Sequence, residues 1–390
     1  MIKYLSANYI VPVSSAPLKN GVIAIDENGV IQGIYESTSS DIIGKKIEKY
    51  AGVIVPGFVN AHCHVELSHM RGQLAKGTGL PKFLSSVMSS RDAKKALVVK
   101  HMNAADEEMY ANGIVAVGDH VNTSLSADLK NESKIHYHTF VEIIGLEPEL
   151  VDGKVDAAKN LRLNFDEKFS SITPHAPYSC SKQLFKKFKK SVSEDNIISI
   201  HNQESEEENK LFRYKTGDFL DFFEVIGKDV DLLKAQARNS IQSYLPYLPQ
   251  VNKLMLVHNT FTSLKDLDFV ERMGREIYWC FCPKSNLYIE NALPKVMNFV
   301  NDNQKIVLGT DSLASNDTLS ILEELRALHV EFPELDFTQT ISWATLNGAE
   351  LLRISDRFGS LEFGKKPGII LLKNMIHLKI TDDVTVERLA

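Results

Sequence analysis

His62 and His64 stand one residue apart at the end of the stretch Pro56-Gly57-Phe58-Val59-Asn60-Ala61-His62-Cys63-His64-Val65-Glu66. In an extended chain successive side chains alternate between faces, so the two imidazoles point one way and Cys63 the other. Two imidazoles converging from one strand end can both bond one cation. A chain with 12 histidines also produces such pairs by chance, so the meaning of this one depends on its partners. Four further stretches supply them: Pro174-His175-Ala176-Pro177, His201-Asn202-Gln203-Glu204, Val257-His258-Asn259 and Gly309-Thr310-Asp311-Ser312.

The chemistry of this set is coherent. A borderline divalent ion such as Zn²⁺ takes neutral imidazoles and a carboxylate, and a catalytic site keeps one position open for water. His62, His64, His201 and Asp311 offer three nitrogens and one oxygen. Water on such an ion is acidified toward neutral pH and becomes a nucleophile. Asp311 can accept a proton from that water. Glu204, three residues past His201, is the candidate for carrying protons to a leaving group. For His258 the alternatives are holding the nucleophile, polarising the attacked centre, or serving as a fifth ligand or an orienting partner. Fe²⁺ accepts similar donors, so Zn²⁺ is the first choice and Fe²⁺ the second. The two-metal version of such a site needs a carboxylated lysine at the fourth strand's end. That place carries His175, so one divalent ion is expected.

What must position these residues is a series of apolar runs, at 53–55, 113–117, 139–144, 171–174, 197–200, 254–257, 277–281 and 305–309, alternating with amphipathic helical patterns. Eight buried strands alternating with helices over some 250 residues predict a (β/α)8 barrel, whose chemistry sits at the C-terminal strand ends. A doubly wound sheet would want a glycine fingerprint after an early strand, and none is present. Residues 1–52 read as short strands and turns, with Asp26-Glu27-Asn28-Gly29 between two of them. The segment from Gly359 has the same texture. Residues 1–52 and 356–390 are therefore expected to form a small β-sandwich domain beside an α/β barrel domain of residues 53–355. Ser205-Glu206-Glu207-Glu208 reads as a capping box that opens a helix.

Composition sets outer limits. At 390 residues, 44% apolar and 24% charged, the chain is an ordinary globular protein. A formal net charge of −6 argues against nucleic acid or an anionic membrane as partner. There is no membrane-length apolar run and no signal-peptide pattern at the N-terminus, which predicts a cytoplasmic protein. Cys63, Cys180, Cys280 and Cys282 are too few for a disulfide framework, and Cys280-x-Cys282 reads as core packing.

With these residues in hand, the chain resembles the amidohydrolase superfamily, in the branch of methylthioadenosine/S-adenosylhomocysteine deaminases, guanine deaminases and chlorotriazine hydrolases. The resemblance rests on residues 56–64, 173–181, 201–204, 257–258, 282–287 and 308–316, in the family's order, and with residues 359–362 it spans nearly the whole chain. It implies that His62, His64, His201 and Asp311 are metal ligands, that Glu204 and Asp311 shuttle protons, and that His258 assists the hydroxide. His175 matches a residue that reaches sugar hydroxyls in the nucleoside deaminases, and Ser312 lies beside it among the substrate-facing candidates. The implied reaction is hydrolytic replacement of an amino group or halide on an electron-poor ring carbon. Glu66 stands where adenosylhomocysteine deaminases carry small or apolar residues. With the segment after it, it looks more like the aminodeoxyfutalosine deaminases, and a period-two count turns it toward the pocket, the other option being an orienting partner for a histidine. The expected substrate is thus a small heterocycle, aminodeoxyfutalosine-like or another adenosine derivative first, guanine or a halotriazine second. The family often forms dimers, so a homodimer is one option. The contrasting class is a catalytically inactive scaffold on the same fold, which would require lost ligands, and none is missing.

Overall fold

The computed structural model describes residues 2–390. Its centre is eight parallel strands: β1 (Phe58–Cys63), β2 (Ile114–Val121), β3 (His136–Ile143), β4 (Ser170–Pro174), β5 (Ile198–Asn202), β6 (Leu254–His258), β7 (Ile277–Phe281) and β8 (Lys305–Leu308). β1 to β4 pair in order as one four-stranded sheet and β5 to β8 as a second. Nearly every residue of these strands is buried, as strands covered on both faces must be. Backbone hydrogen bonds join the sheets at both edges. His201 N donates to His175 O at 3.0 Å between β5 and β4, and Thr310 N and Asp311 N donate to His62 O at 3.0 and 3.1 Å between β8 and β1. The fold is mixed α/β with its two parallel sheets meeting edge to edge.

Strands from both ends of the chain form one further seven-stranded sheet. Where the termini suggested a sandwich of two layers, hydrogen bonding links all seven strands into a single sheet. It includes Lys3–Ile10, which runs parallel to Ile47–Pro56, and Ile369–Lys373, antiparallel to the same strand. Here the structure departs from expectation. The apolar run 53–55 is not the first strand of the parallel set. Val53 pairs with Tyr9 and Leu372, and Ile54 with Ile10 and Leu371. The break at Pro56-Gly57 is where the chain leaves one sheet for the other. A Cβ on Gly57 would meet Val115 Cγ1 at 2.3 Å and Pro367 O at 2.8 Å, so only glycine fits the crossing. The eighth parallel strand is instead Phe58–Cys63. All four cysteines are buried free thiols. Among the described residues no helix is long and apolar enough to cross a membrane.

Candidate active site

The C-terminal ends of the parallel strands carry the site. His62 lies on β1 and His64 just past it, while His201 lies near the end of β5 and His258 ends β6. His175 follows β4, and Asp311 follows β8. Several of these residues sit in strained backbone: Gln203, His258 and Asp311 have φ of 45°, 74° and 57°. Left-handed Asp and His are tolerated better than most residues, and such strain concentrates where side chains must be aimed.

Three imidazoles and one carboxylate converge. His64 Nε2 is 3.3 Å from His201 Nε2, and Asp311 Oδ1 is 3.6 Å from His62 Nε2 and 3.7 Å from His64 Nε2. The last two spacings are too long for hydrogen bonds. They suit neighbouring ligands of one ion, since a tetrahedron with bonds of about 2.0–2.1 Å has edges of about 3.3–3.4 Å. His62 is fully buried, and neither of its ring nitrogens has a hydrogen-bond partner among the described residues. An orphaned imidazole in a dry interior is costly unless something else bonds it. The donors of His62, His64 and His201 form a group able to hold a metal ion.

Protonation states fit a cation too. Burial lowers the His62 pKa, and burial followed by the neighbouring His62 lowers that of His64 to about 4. His201 is pushed well below the ordinary histidine value, by burial first and then by His175. Burial pushes Asp311 up, but His62, His64 and His258 outweigh it and hold the carboxyl well below the usual range. The set is therefore three neutral imidazoles and an anion. Polar neighbours orient two of these four side chains, His201 and Asp311. His201 Nδ1 lies 2.8 Å from the His175 carbonyl, which as an acceptor leaves the Nε2 lone pair free. Ser285 Oγ and Ser315 Oγ each lie 2.7 Å from Asp311 Oδ2, leaving Oδ1 to the histidines.

Glu204 is buried, and burial, then the charges of Asp311 and Glu290, raise its pKa well above the ordinary value. Its environment thus favours the protonated form, and its carboxyl lies 3.6 Å from His258 Nε2. Its helix start differs in one detail from the expected capping box. Ser205 Oγ accepts from Glu207 N, but Glu208 reaches past the cap to accept from Gln203 N at 3.0 Å.

A cavity of about 330 Å³ opens over this floor. His64, His175, His201, Glu204, His258, Asp311 and Ser312 line it. Glu66 does not. The sequence count turned it toward the pocket, yet it is buried against the loop after β2, accepting from Thr123 Oγ1 at 2.8 Å and from Asn122 N at 3.4 Å. Strand β1 ends at Cys63 and the chain enters a 3₁₀ turn at Val65–Met70, so the period of two no longer applies to Glu66.

Sequence reasoning passed over His120 and Glu142. His120 lies on β2 with its ring 4.4 Å from that of His62, and neither nitrogen has a partner among the described residues. Glu142 lies on β3, accepts from Asn122 Nδ2 at 3.0 Å, and has a pKa raised by burial to about 8. The signal for His120 was present, a histidine three residues past the run 113–117. Glu142 sat inside the apolar run 139–144 and looked like part of a strand.

Residues 53–387 match the amidohydrolase family. An adenosine deaminase from Helicobacter pylori is 26% identical over 352 residues, which cover 88% of this chain and 85% of that protein. The solved aminofutalosine deaminase of Helicobacter pylori in complex with methylthio-coformycin superimposes with a TM-score of 0.78 at 21% identity, covering 97% of this chain and 93% of the other. An adenosine deaminase from Xanthomonas campestris with bound zinc gives 0.71 at 19% identity, covering 95% and 84%. These structures share the fold.

Proposed function

The chain belongs to the amidohydrolase family, and on that premise we propose that it is a metal-dependent deaminase, a hydrolase of carbon–nitrogen bonds in cyclic amidines that removes the amino group from a purine-type ring. The observation that carries this reading is the convergence of His62, His64, His201 and Asp311 beside a buried Glu204 whose pKa burial raises. Relatives named as adenosine, 5′-deoxyadenosine and methylthioadenosine/S-adenosylhomocysteine deaminases support it. The substrate we favour is an adenosine-derived nucleoside of the aminodeoxyfutalosine type. The likeness of fold supports closure of the two parallel sheets into a (β/α)8 barrel, with the terminal strands as a second, smaller domain.

We assign His62, His64, His201 and Asp311 as ligands of one divalent ion, Zn²⁺ in first place because the site is nitrogen-rich with one carboxylate. When bound, such an ion lowers the pKa of water so that a nucleophile exists at neutral pH. The protein's own groups do the rest. Asp311 is an anion able to take a proton on Oδ1 while Ser285 and Ser315 hold Oδ2. His258 keeps a lone pair on Nε2, toward Glu204, because Asn286 Oδ1 occupies Nδ1 at 2.9 Å. Glu204 holds the proton that a ring nitrogen needs as water adds to the neighbouring carbon. Asp311 passes the proton taken from the water to the amine as the carbon–nitrogen bond breaks, ammonia leaves, and the hydroxyl proton freed as the carbonyl forms returns to Glu204.

The test is ammonia release by metal-loaded protein across aminodeoxyfutalosine, adenosine, 5′-deoxyadenosine, methylthioadenosine, S-adenosylhomocysteine and guanine, with chloride release from a halotriazine alongside. Deamination of an adenine nucleoside is the expected result. Chloride release alone would move the protein to the triazine side of the family. Inertness toward every compound, with metal bound, would overturn the reading.

A further inference from the structure

His120 and Glu142 have no part in the four-donor set, yet both carry buried polar atoms with nothing to bond. β2 and β3 run parallel with His120 opposite Phe140. Glu142, two residues past Phe140, therefore projects from the same face as His120. The His120 side chain is 1% exposed and sits between two rings, His62 at 4.4 Å and Phe140 at 4.9 Å. Neither of its nitrogens has a hydrogen-bond partner among the described residues. In Glu142, Oε2 accepts from Asn122 Nδ2 at 3.0 Å, while Oε1 is buried without a partner. Its neighbour His201 Nδ1, at 3.9 Å, is beyond hydrogen-bonding reach. Bare polar atoms on two adjacent strands, opening on one space, call for a bonding partner from outside the chain.

The donor chemistry says which. A ring nitrogen of His64, a ring nitrogen of His120 and a carboxylate oxygen of Glu142 lie within 4.8 Å of one another, and His62 is not part of that group. Glu142 also stands in a group with His175 and His201. There the nitrogens are already engaged: His175 Nδ1 faces Ser179 Oγ at 2.8 Å, and His201 has Nδ1 on the His175 carbonyl and Nε2 toward His64. The group with the free donors is the one containing His120. Two imidazoles and a carboxylate suit a borderline divalent ion such as Zn²⁺. His64 and Glu142 line the cavity, so an ion reaches them from solvent.

We propose that His120, Glu142 and His64 form a second divalent-cation site, beside the four-donor set and weaker than it, having three donors with one of them shared. Its new donors come from β2 and β3. The two-metal arrangement set aside on the sequence would instead need a lysine after β4. The proposal rests on the metal assignment above only in that both use His64. An imidazole has two ring nitrogens, so His64 can serve both ions, the second bond releasing its N–H proton to solvent.

The test is zinc binding to the full chain, stripped of metal and then titrated by equilibrium dialysis with elemental analysis. The wild type should take up about two equivalents, one tight and one weaker, and His120→Ala should stop at about one. Glu142→Gln should weaken the second equivalent by about 10- to 100-fold, the scale of disturbing one contact at a metal centre. A thermal midpoint establishes that each variant folds. Glu142→Gln, near-isosteric and on the cavity wall, decides the matter if His120→Ala does not fold. His201→Ala separates the sites, since it should lose the tight equivalent and keep the weaker one. A single equivalent in the wild type at saturating zinc overturns the proposal. So does an undiminished second equivalent in either folded variant, the mark of an adventitious ion only, or loss of both equivalents in His201→Ala. Retention of both in His201→Ala would instead sink the four-donor assignment and leave this site standing.

Discussion

Asn286 Oδ1 lies 2.9 Å from His258 Nδ1. An amide oxygen only accepts, so the contact fixes the imidazole with its proton on Nδ1 and its lone pair on Nε2, the atom 3.6 Å from Glu204. Asn286→Leu removes that constraint without touching a metal ligand. We expect kcat to fall about 10- to 100-fold, the usual cost of losing such an orienting partner, with metal content unchanged. Steady-state kinetics beside elemental analysis would check it. A rate within twofold of wild type would mean that His258 needs no tautomer control.

Glu204→Gln keeps the shape of the side chain and removes the proton it can give. Turnover should drop by about 10²- to 10⁴-fold while bound metal stays at the wild-type level. Retained turnover would take Glu204 out of the chemistry.

His201→Ala deletes a nitrogen from the ligand set, so metal content should fall. Chelation of the wild-type protein should likewise lower its thermal midpoint, because the folded state then loses its bound ion and His62 is left buried with no partner on either ring nitrogen. Zinc added back should restore the midpoint in wild type and not in the variant.

Glu324 gives the fold a pH signature away from the ligands. It is fully buried, accepts from Lys284 N and Asn316 Nδ2 at 2.8 Å each, and has a pKa raised by burial to about 8. The folded state thus holds this proton more tightly than the unfolded chain does. The contribution to stability is full below the unfolded value of 4.5, declines as pH rises, and is lost once pH passes about 8. Compared with Glu324→Gln, the wild type should lose up to about 1.4 kcal/mol per pH unit across that window. Denaturant titrations of both proteins at several pH values would measure the difference, and parallel curves would refute the assignment.

Gly309 is packed against His62, one of the proposed metal ligands. A Cβ there would stand 2.7 Å from His62 Cβ and 2.9 Å from His62 O, and backbone cannot yield as a flexible side chain can. Gly309→Ala should cost about 1–3 kcal/mol and weaken metal binding by displacing β1. Gly153→Ala, in open space within the helix Val151–Arg162, should instead gain about 0.5–1 kcal/mol.

Particular residues show what a reader of the chain can and cannot extract. His62 and His64 are legible because an extended strand end imposes a period of two, and Asp311 because it directly follows an apolar run. Glu66 defeats the same count, since the strand stops three residues earlier and a 3₁₀ turn rotates the side chain into a neighbouring loop. The run 53–55 has the composition of any buried strand. Its partners Tyr9, Ile10 and Leu371 lie tens to hundreds of residues away, and no local pattern records pairing at that distance. Ser285 and Asn286 stood inside a recognisable segment, but their grip on Asp311 and His258 depends on how β6, β7 and β8 lie side by side.

The carbonyl of His62 receives Thr310 N and Asp311 N, so one peptide unit ties the first parallel strand to the last. Some 250 residues separate those partners along the chain. During synthesis His62, His64 and His201 leave the ribosome before Asp311 does. A nascent chain halted before residue 311 would own three imidazoles and lack both the oxygen and the seam that aligns them, so the four donors of the proposed metal site meet only once β8 has docked on β1.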